Sequence, residues 1–161
     1  MLETNRCILS AIQMDDYDDV KLLYINEEVR RYLGGTQSNE DIQASFTKMI
    51  HSTTESLYFI VREKYTKAFI GLISLDTHHH GISTEVSYQL LPKWWGDGYA
   101  TEAINEIINY AFNKLKLTEI VAETQTANRA SCRLLEKLGF NLRETVHRFG
   151  EIQSIYCIKY N

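Results

Sequence analysis

The segment Leu90-Leu91-Pro92-Lys93-Trp94-Trp95-Gly96-Asp97-Gly98-Tyr99-Ala100-Thr101-Glu102-Ala103 reads as the end of a strand passing through a small-residue loop into a helix. Gly96, Gly98 and Ala100 have little or no side chain, so a ligand can come close to the backbone. The first helical turn offers unpaired N–H groups at the positive end of its dipole, and together these features suit a diphosphate. Two familiar phosphate loops are excluded. No Gly-Lys-Ser/Thr follows the second Gly, and Thr101 stands where the dinucleotide fingerprint needs Gly or Ala.

About 30 residues on comes Asn128-Arg129-Ala130-Ser131-Cys132-Arg133-Leu134-Leu135-Glu136-Lys137-Leu138-Gly139-Phe140, with Asn at a helix start and Gly at its stop. The two segments, in this order and at this spacing, resemble the coenzyme A motifs of the GNAT superfamily of N-acetyltransferases. The first is usually written Gln/Arg-x-x-Gly-x-Gly/Ala and is matched by Trp95-Gly96-Asp97-Gly98-Tyr99-Ala100; the second is Asn-x-x-Ser before a helix ending Lys-x-Gly-Phe. Trp95 departs from the Gln/Arg of the first position. The run it opens is similar to the branch containing ribosomal-protein alanine and serine N-acetyltransferases. The likeness extends from Glu3-Thr4-Asn5-Arg6 to the final strand.

The resemblance implies acetyl-CoA as cosubstrate, with no metal and no covalent enzyme intermediate. Gly96, Asp97, Gly98, Tyr99, Ala100 and Thr101 would hold the diphosphate. Leu90 and Leu91 would offer backbone groups to the pantetheine arm, a backbone N–H near Leu91 polarising the thioester carbonyl, and Asn128 would hold a pantetheine amide. For the base, Glu123 matches the glutamate of ribosomal alanine acetyltransferases, with Glu85 on the neighbouring strand as alternate. A carboxylate there also suits a plain ion pair with an arginine. For the acid, the tyrosine that many relatives carry seven residues after the motif Asn is Leu135 here, and Ser131 matches the serine-acetyltransferase branch, as acid or as cofactor contact. Asn at a helix start also serves simply as a cap.

These groups must be positioned by a mixed α/β fold. Strands are expected at 6–12, 57–62, 68–76, 84–91, 119–124, 140–148 and 153–160 from alternation and turn signals. Helices are expected from Asp15 or Asp16, with Val20, Leu22, Leu23 and Ile25 inward, over 26–33, after Ser38 with Ile42, Phe46, Met49 and Ile50 on one stripe, from Gly98 to about Lys114, and over 129–138. The resemblance makes this a GNAT fold: a mostly antiparallel mixed sheet of about six to seven strands, splayed in the middle, with helices on both faces. In that fold strands 84–91 and 119–124 start side by side and then part.

At 161 residues, 44% hydrophobic and 24% charged, with no repeat or low-complexity tract, the chain suits one domain over 1–161. The longest apolar run, Ala68 to Ile73, is far short of the roughly 18 residues of a membrane helix, and no signal core is present, pointing to a cytoplasmic protein with no membrane partner. A net charge of −4 speaks against nucleic acid and accords with cationic amines. Cys7, Cys132 and Cys157 lack metal-ligand spacing. Thr77-His78-His79-His80-Gly81 lacks the Cys or carboxylate partners of a metal set, and Arg30-Arg31 reads as a solvated helix face. The expected activity is acetyl transfer to a primary amine, a protein N-terminus of the ribosomal type. The alternatives are a small amine (antibiotic, polyamine or amino acid) and a non-catalytic acyl-CoA-binding domain. Monomer and homodimer both remain open.

Overall fold

The computed structural model describes residues 1–52, 55–78 and 83–161. In chain order its elements are β1 (Leu2–Glu3), β2 (Cys7–Ala11), α1 (Tyr17–Tyr24), α2 (Glu27–Arg30), α3 (Asn39–Ile50), β3 (Leu57–Glu63), β4 (Phe69–Thr77), β5 (Thr84–Leu90), α4 (Tyr99–Asn113), β6 (Glu119–Gln125), α5 (Arg129–Lys137), β7 (Asn141–Arg148) and β8 (Glu151–Lys159). One sheet runs β1-β2-β3-β4-β5-β6-β8-β7, antiparallel throughout except where β5 meets β6. The sheet has eight strands where six to seven were expected. The addition is β1, a two-residue edge pairing Leu2 with Leu9 and Glu3 with Ile8, too short to carry a readable alternation.

The sheet separates two apolar layers. On one face Ala103, Ile104, Ile107, Ile108 and Ala111 of α4, spaced at the helical period, pack with Leu135 of α5 against Val61, Ile73, Leu75, Val86, Leu90, Ile120 and Ala122. On the other, Val20, Leu23, Ile42, Phe46 and Met49 from α1 and α3 cover Ile60, Phe69 and Leu72. β4 lies between both layers, which is why Phe69 to Ile73 is buried without interruption. In α1 the expected inward set needs correction: Leu22 and Ile25 are exposed, while Tyr24 is buried. At 100° per residue Leu22 points about 200° from Val20, and Ile25 lies past the helix end.

Ser38 Oγ accepts the Asp41 N–H and starts α3, as the cap residues suggested. Arg30 corrects the solvated-face expectation. It is buried, with Nε donating to Gly35 O (2.9 Å), Nη2 to Leu33 O (2.7 Å) and Nη1 to Gln89 Oε1 (3.1 Å). Three carbonyl-type acceptors thus take the guanidinium where a sequence pattern shows only charge, and the turn after α2 is tied to β5.

Candidate active site

β5 and β6 touch at one register pair among the described residues, Glu85 with Val121. β5 is held on its other side by a full ladder to β4, and β6 by one to β8, so neither strand follows the other beyond that pair. From Val86 to Leu90, β5 therefore has no ladder partner in β6, and a cleft opens with main-chain groups along its wall.

Leu90 and Leu91, expected to offer backbone contacts, present their N–H groups differently. Leu91 N–H donates to Ile70 O (2.9 Å) and is engaged in the sheet. Successive N–H groups of an extended strand alternate sides, so the Leu90 N–H faces the β6 side. Leu90 O accepts the Trp95 indole N–H at 2.9 Å, and Trp94 donates to Phe69 O at 3.0 Å; both rings brace the strand end. Glycine is required at position 71, because a Cβ there would stand 2.2 Å from Gln89 O. That close approach brings β4 against the stretch of β5 that borders the cleft.

Past this strand end, Gly96 (φ +82°) and Gly98 (φ +84°) take left-handed backbone, and Gly98 is the N-cap of α4. Asp97, Tyr99, Ala100 and Thr101 complete the turn into the helix. Across the cleft, Asn128 caps α5, its Oδ1 accepting the Ser131 N–H at 3.2 Å. Ser131 is itself buried, and its hydroxyl shares a hydrogen bond with the Tyr88 hydroxyl. Burial pushes the Tyr88 phenol up to about 12, against the opposing effect of the Ser131 bond.

Three carboxylates gather near the Glu85–Val121 pair. Asp76 is Glu85's register partner on β4. Glu123, with only 5% of its side chain exposed, has a neighbour at each oxygen: Oε1 is 2.7 Å from His78 Nε2, within hydrogen-bond reach, and Oε2 is 3.2 Å from Arg148 Nε in an ion pair without hydrogen-bond geometry. Glu85 is pushed up to about 7, first by burial and then by the charge of Glu123. A hydrogen bond from the Glu123 backbone counters this, Asp76 adds to it, and Arg148 works against it. The two candidate bases thus sit side by side in different situations, one held by two partners and one poised between its protonation states.

The acetyltransferase (GNAT) domain family matches residues 6–141. The N-acetyltransferase YoaA of Bacillus subtilis (strain 168) is 31% identical over 93% of this chain and 90% of its own length. The chain belongs to the GNAT family. It is accordingly an acetyl-CoA-dependent acyltransferase. The spermidine N(1)-acetyltransferase of Vibrio cholerae is 28% identical over 82% of this chain and 77% of its own. In fold, a GNAT-family acetyltransferase from Bacillus anthracis superposes with a TM-score of 0.85 at 22% identity, covering 98% of this chain and 96% of that one. The V. cholerae spermidine N-acetyltransferase in complex with CoA and spermine gives 0.83 at 23% identity, covering 97% and 96%.

Coenzyme A fits the residues of this GNAT chain. A left-handed glycine at the start of a 15-residue helix leaves N–H groups for a diphosphate, and the parted strands leave main-chain groups for an amide-bearing arm. The cofactor supplies the activated acetyl thioester. Among the described residues, no group of three or more His, Cys, Asp or Glu could hold a metal ion. His78, from the histidine run, is buried against Glu123, while His79, His80 and Gly81 lie outside the described residues. The sequence reading missed Tyr88 and Arg148, and weighed His78 only as part of a metal-type run. Tyr88 alternates with Val86 and Leu90 as an apolar residue would, and the other two reach Glu123 only through the sheet's order.

Proposed function

We propose that this protein transfers acetyl from acetyl-CoA to a primary amine, with Glu85 receiving the ammonium proton. The observation that carries this is the Glu85 carboxyl at the point where β5 and β6 part, pushed up to about 7. A base poised near neutral pH can take a proton from an incoming ammonium and release it again to water. Glu123, our first candidate from sequence, is assigned instead to holding the charge balance beside Glu85, because its two oxygens already have partners. Ser131, backed by Tyr88, is the hydroxyl assigned to the departing thiolate, and the Leu90 N–H is assigned to the thioester oxygen.

Asp76, Glu85 and Glu123 give the amine's approach an acidic character. For the acceptor we keep the protein N-terminus implied by the Trp95-to-Ala103 run. A polyamine is the second reading, favoured by the V. cholerae relative named for spermidine and by the same acidic residues. A cytoplasmic location accords with three free cysteines.

The test is thiol release from acetyl-CoA in the presence of peptides with alanine or serine N-termini, polyamines and amino acids. Release above the hydrolytic background with one of these classes is expected, and Glu85→Gln should remove it. Tight binding of acetyl-CoA with no release for any amine would replace this reading with a non-catalytic acyl-CoA-binding domain.

A further inference from the structure

The loop motif asks for Gln or Arg at its first position, and this chain has Trp95, whose indole turns back to Leu90 O. A guanidinium reaches the same loop from elsewhere. Arg6, between β1 and β2, donates from Nη1 to Asp97 O at 3.0 Å. Its Nε donates to Glu102 Oε1 at 2.9 Å, and its backbone N–H to Glu102 Oε2 at 2.8 Å; the Thr4 hydroxyl also donates to Oε2. The guanidinium carbon lies 4.0 Å from the centre of the Tyr99 ring, and Nη2 lies 3.3 Å from where a Gly98 Cβ would stand. Arg6 therefore packs against the turn at Asp97, Gly98 and Tyr99.

Glu102 is well placed as the anchor. It is the fourth residue of α4, so its backbone is fixed by the helix. Partial burial works against its ionisation, but the bonds from Thr4 and Arg6 outweigh it and hold the carboxyl below the usual range.

We propose that Arg6 is a positioning residue for the diphosphate site, locking the Asp97–Gly98 peptide in the orientation that binds the anion. In a trans peptide the C=O and the following N–H point in opposite directions. With Asp97 C=O held on Arg6, the Gly98 N–H is directed away from β2. An Xaa-Gly peptide flips easily when nothing holds it, because glycine tolerates the backbone angles on both sides of the flip. Glu102 holds Arg6, Arg6 holds the carbonyl, and the donor direction is set before the anion arrives, which lowers the ordering cost of binding. The proposal rests on the family reading that a diphosphate binds this loop.

The experiment compares two acyl donors, acetyl-CoA and S-acetylpantetheine, which lacks the diphosphate. For Arg6→Gln, KM for acetyl-CoA should rise roughly 10- to 100-fold, as expected for a lost charge-assisted hydrogen bond, with kcat within about twofold. Its kcat/KM with S-acetylpantetheine should stay within about twofold of wild type. Arg6→Lys, which keeps the charge but cannot bridge Glu102 and Asp97 in a fork, should show the same split more weakly. Equal losses with both donors for both variants would mean a general structural role and overturn the proposal, as would an unchanged KM for acetyl-CoA. A wild-type enzyme that uses both donors equally well would overturn the diphosphate reading itself, and the proposal with it.

Discussion

Tyr88 of β5 and Ser131 of α5 share one hydroxyl–hydroxyl hydrogen bond across the cleft. It joins the strand that would line the pantetheine arm to the first turn of the helix opposite, with Ser131 buried and Tyr88 partly so. The bond gives Ser131 a fixed direction that a helix-face serine lacks on its own, since such hydroxyls readily turn back to their own backbone.

Ser131→Ala should lower kcat roughly 10- to 1000-fold with little change in the far-ultraviolet circular dichroism, the range expected for a positioned proton donor. Tyr88→Phe keeps the ring and removes the hydroxyl. It should lower kcat by a smaller factor while leaving KM for acetyl-CoA near wild type. If steady-state kinetics show both variants unchanged in kcat, the pair is packing and the thiolate is protonated by water.

Glu85→Gln should cost roughly 100-fold or more in kcat/KM near neutral pH. In the wild type the base must be ionised, so activity rises with pH through about 7, and the variant should lose that limb. Stability moves in the opposite sense. A carboxyl raised from its unfolded value to about 7 stabilises the fold at low pH, and that contribution is lost as pH rises through about 7. Urea midpoints should show Glu85→Gln gaining on wild type between about pH 5 and 8.

Glu123→Ala should show the reverse balance of effects. It leaves His78 and Arg148 facing a buried gap, and removal of one member of a buried ion pair typically costs roughly 3 kcal/mol. Chemical denaturation should therefore find Glu123→Ala the less stable of the two carboxylate variants. An unaltered urea midpoint would show that His78 and Arg148 find water or other partners.

Gly71→Ala places a methyl 2.2 Å from Gln89 O and 2.9 Å from Leu90 Cα, both backbone, so no side chain can move aside. Overpacking of this kind costs roughly 1–3 kcal/mol. Since the displaced atoms border the cleft, KM for acetyl-CoA should rise as the melting temperature falls. A variant with a lower melting temperature and wild-type KM would separate the strand's packing from its role in binding.

The elements themselves were legible because their periods are strong. Ala103, Ile104, Ile107, Ile108 and Ala111 repeat as a helix must, and the apolar run at Phe69 to Ile73 reads as a central strand. The phosphate-type loop was legible because few residue sets tolerate its backbone. The cleft chemistry was not. Whether Glu85 or Glu123 is poised depends on His78 and Arg148, 45 and 25 residues from Glu123, meeting at the centre of a sheet whose order departs from chain order. Arg30 is similar: its partners Gly35, Leu33 and Gln89 are uncharged, so nothing in the local charge pattern announces its burial.

The single register pair between β5 and β6 among the described residues also has a mechanical meaning. Ladder hydrogen bonds carry stiffness across a sheet, and between strands β1 to β5 and the trio β6, β8 and β7 that ladder narrows to Glu85 and Val121. A ligand arm that pairs with both walls would act as a keystone, completing the ladder where the strands part. Amide exchange at Val86–Leu90 and at Ala122–Gln125 would then slow together on loading, two segments far apart in the chain reporting one event.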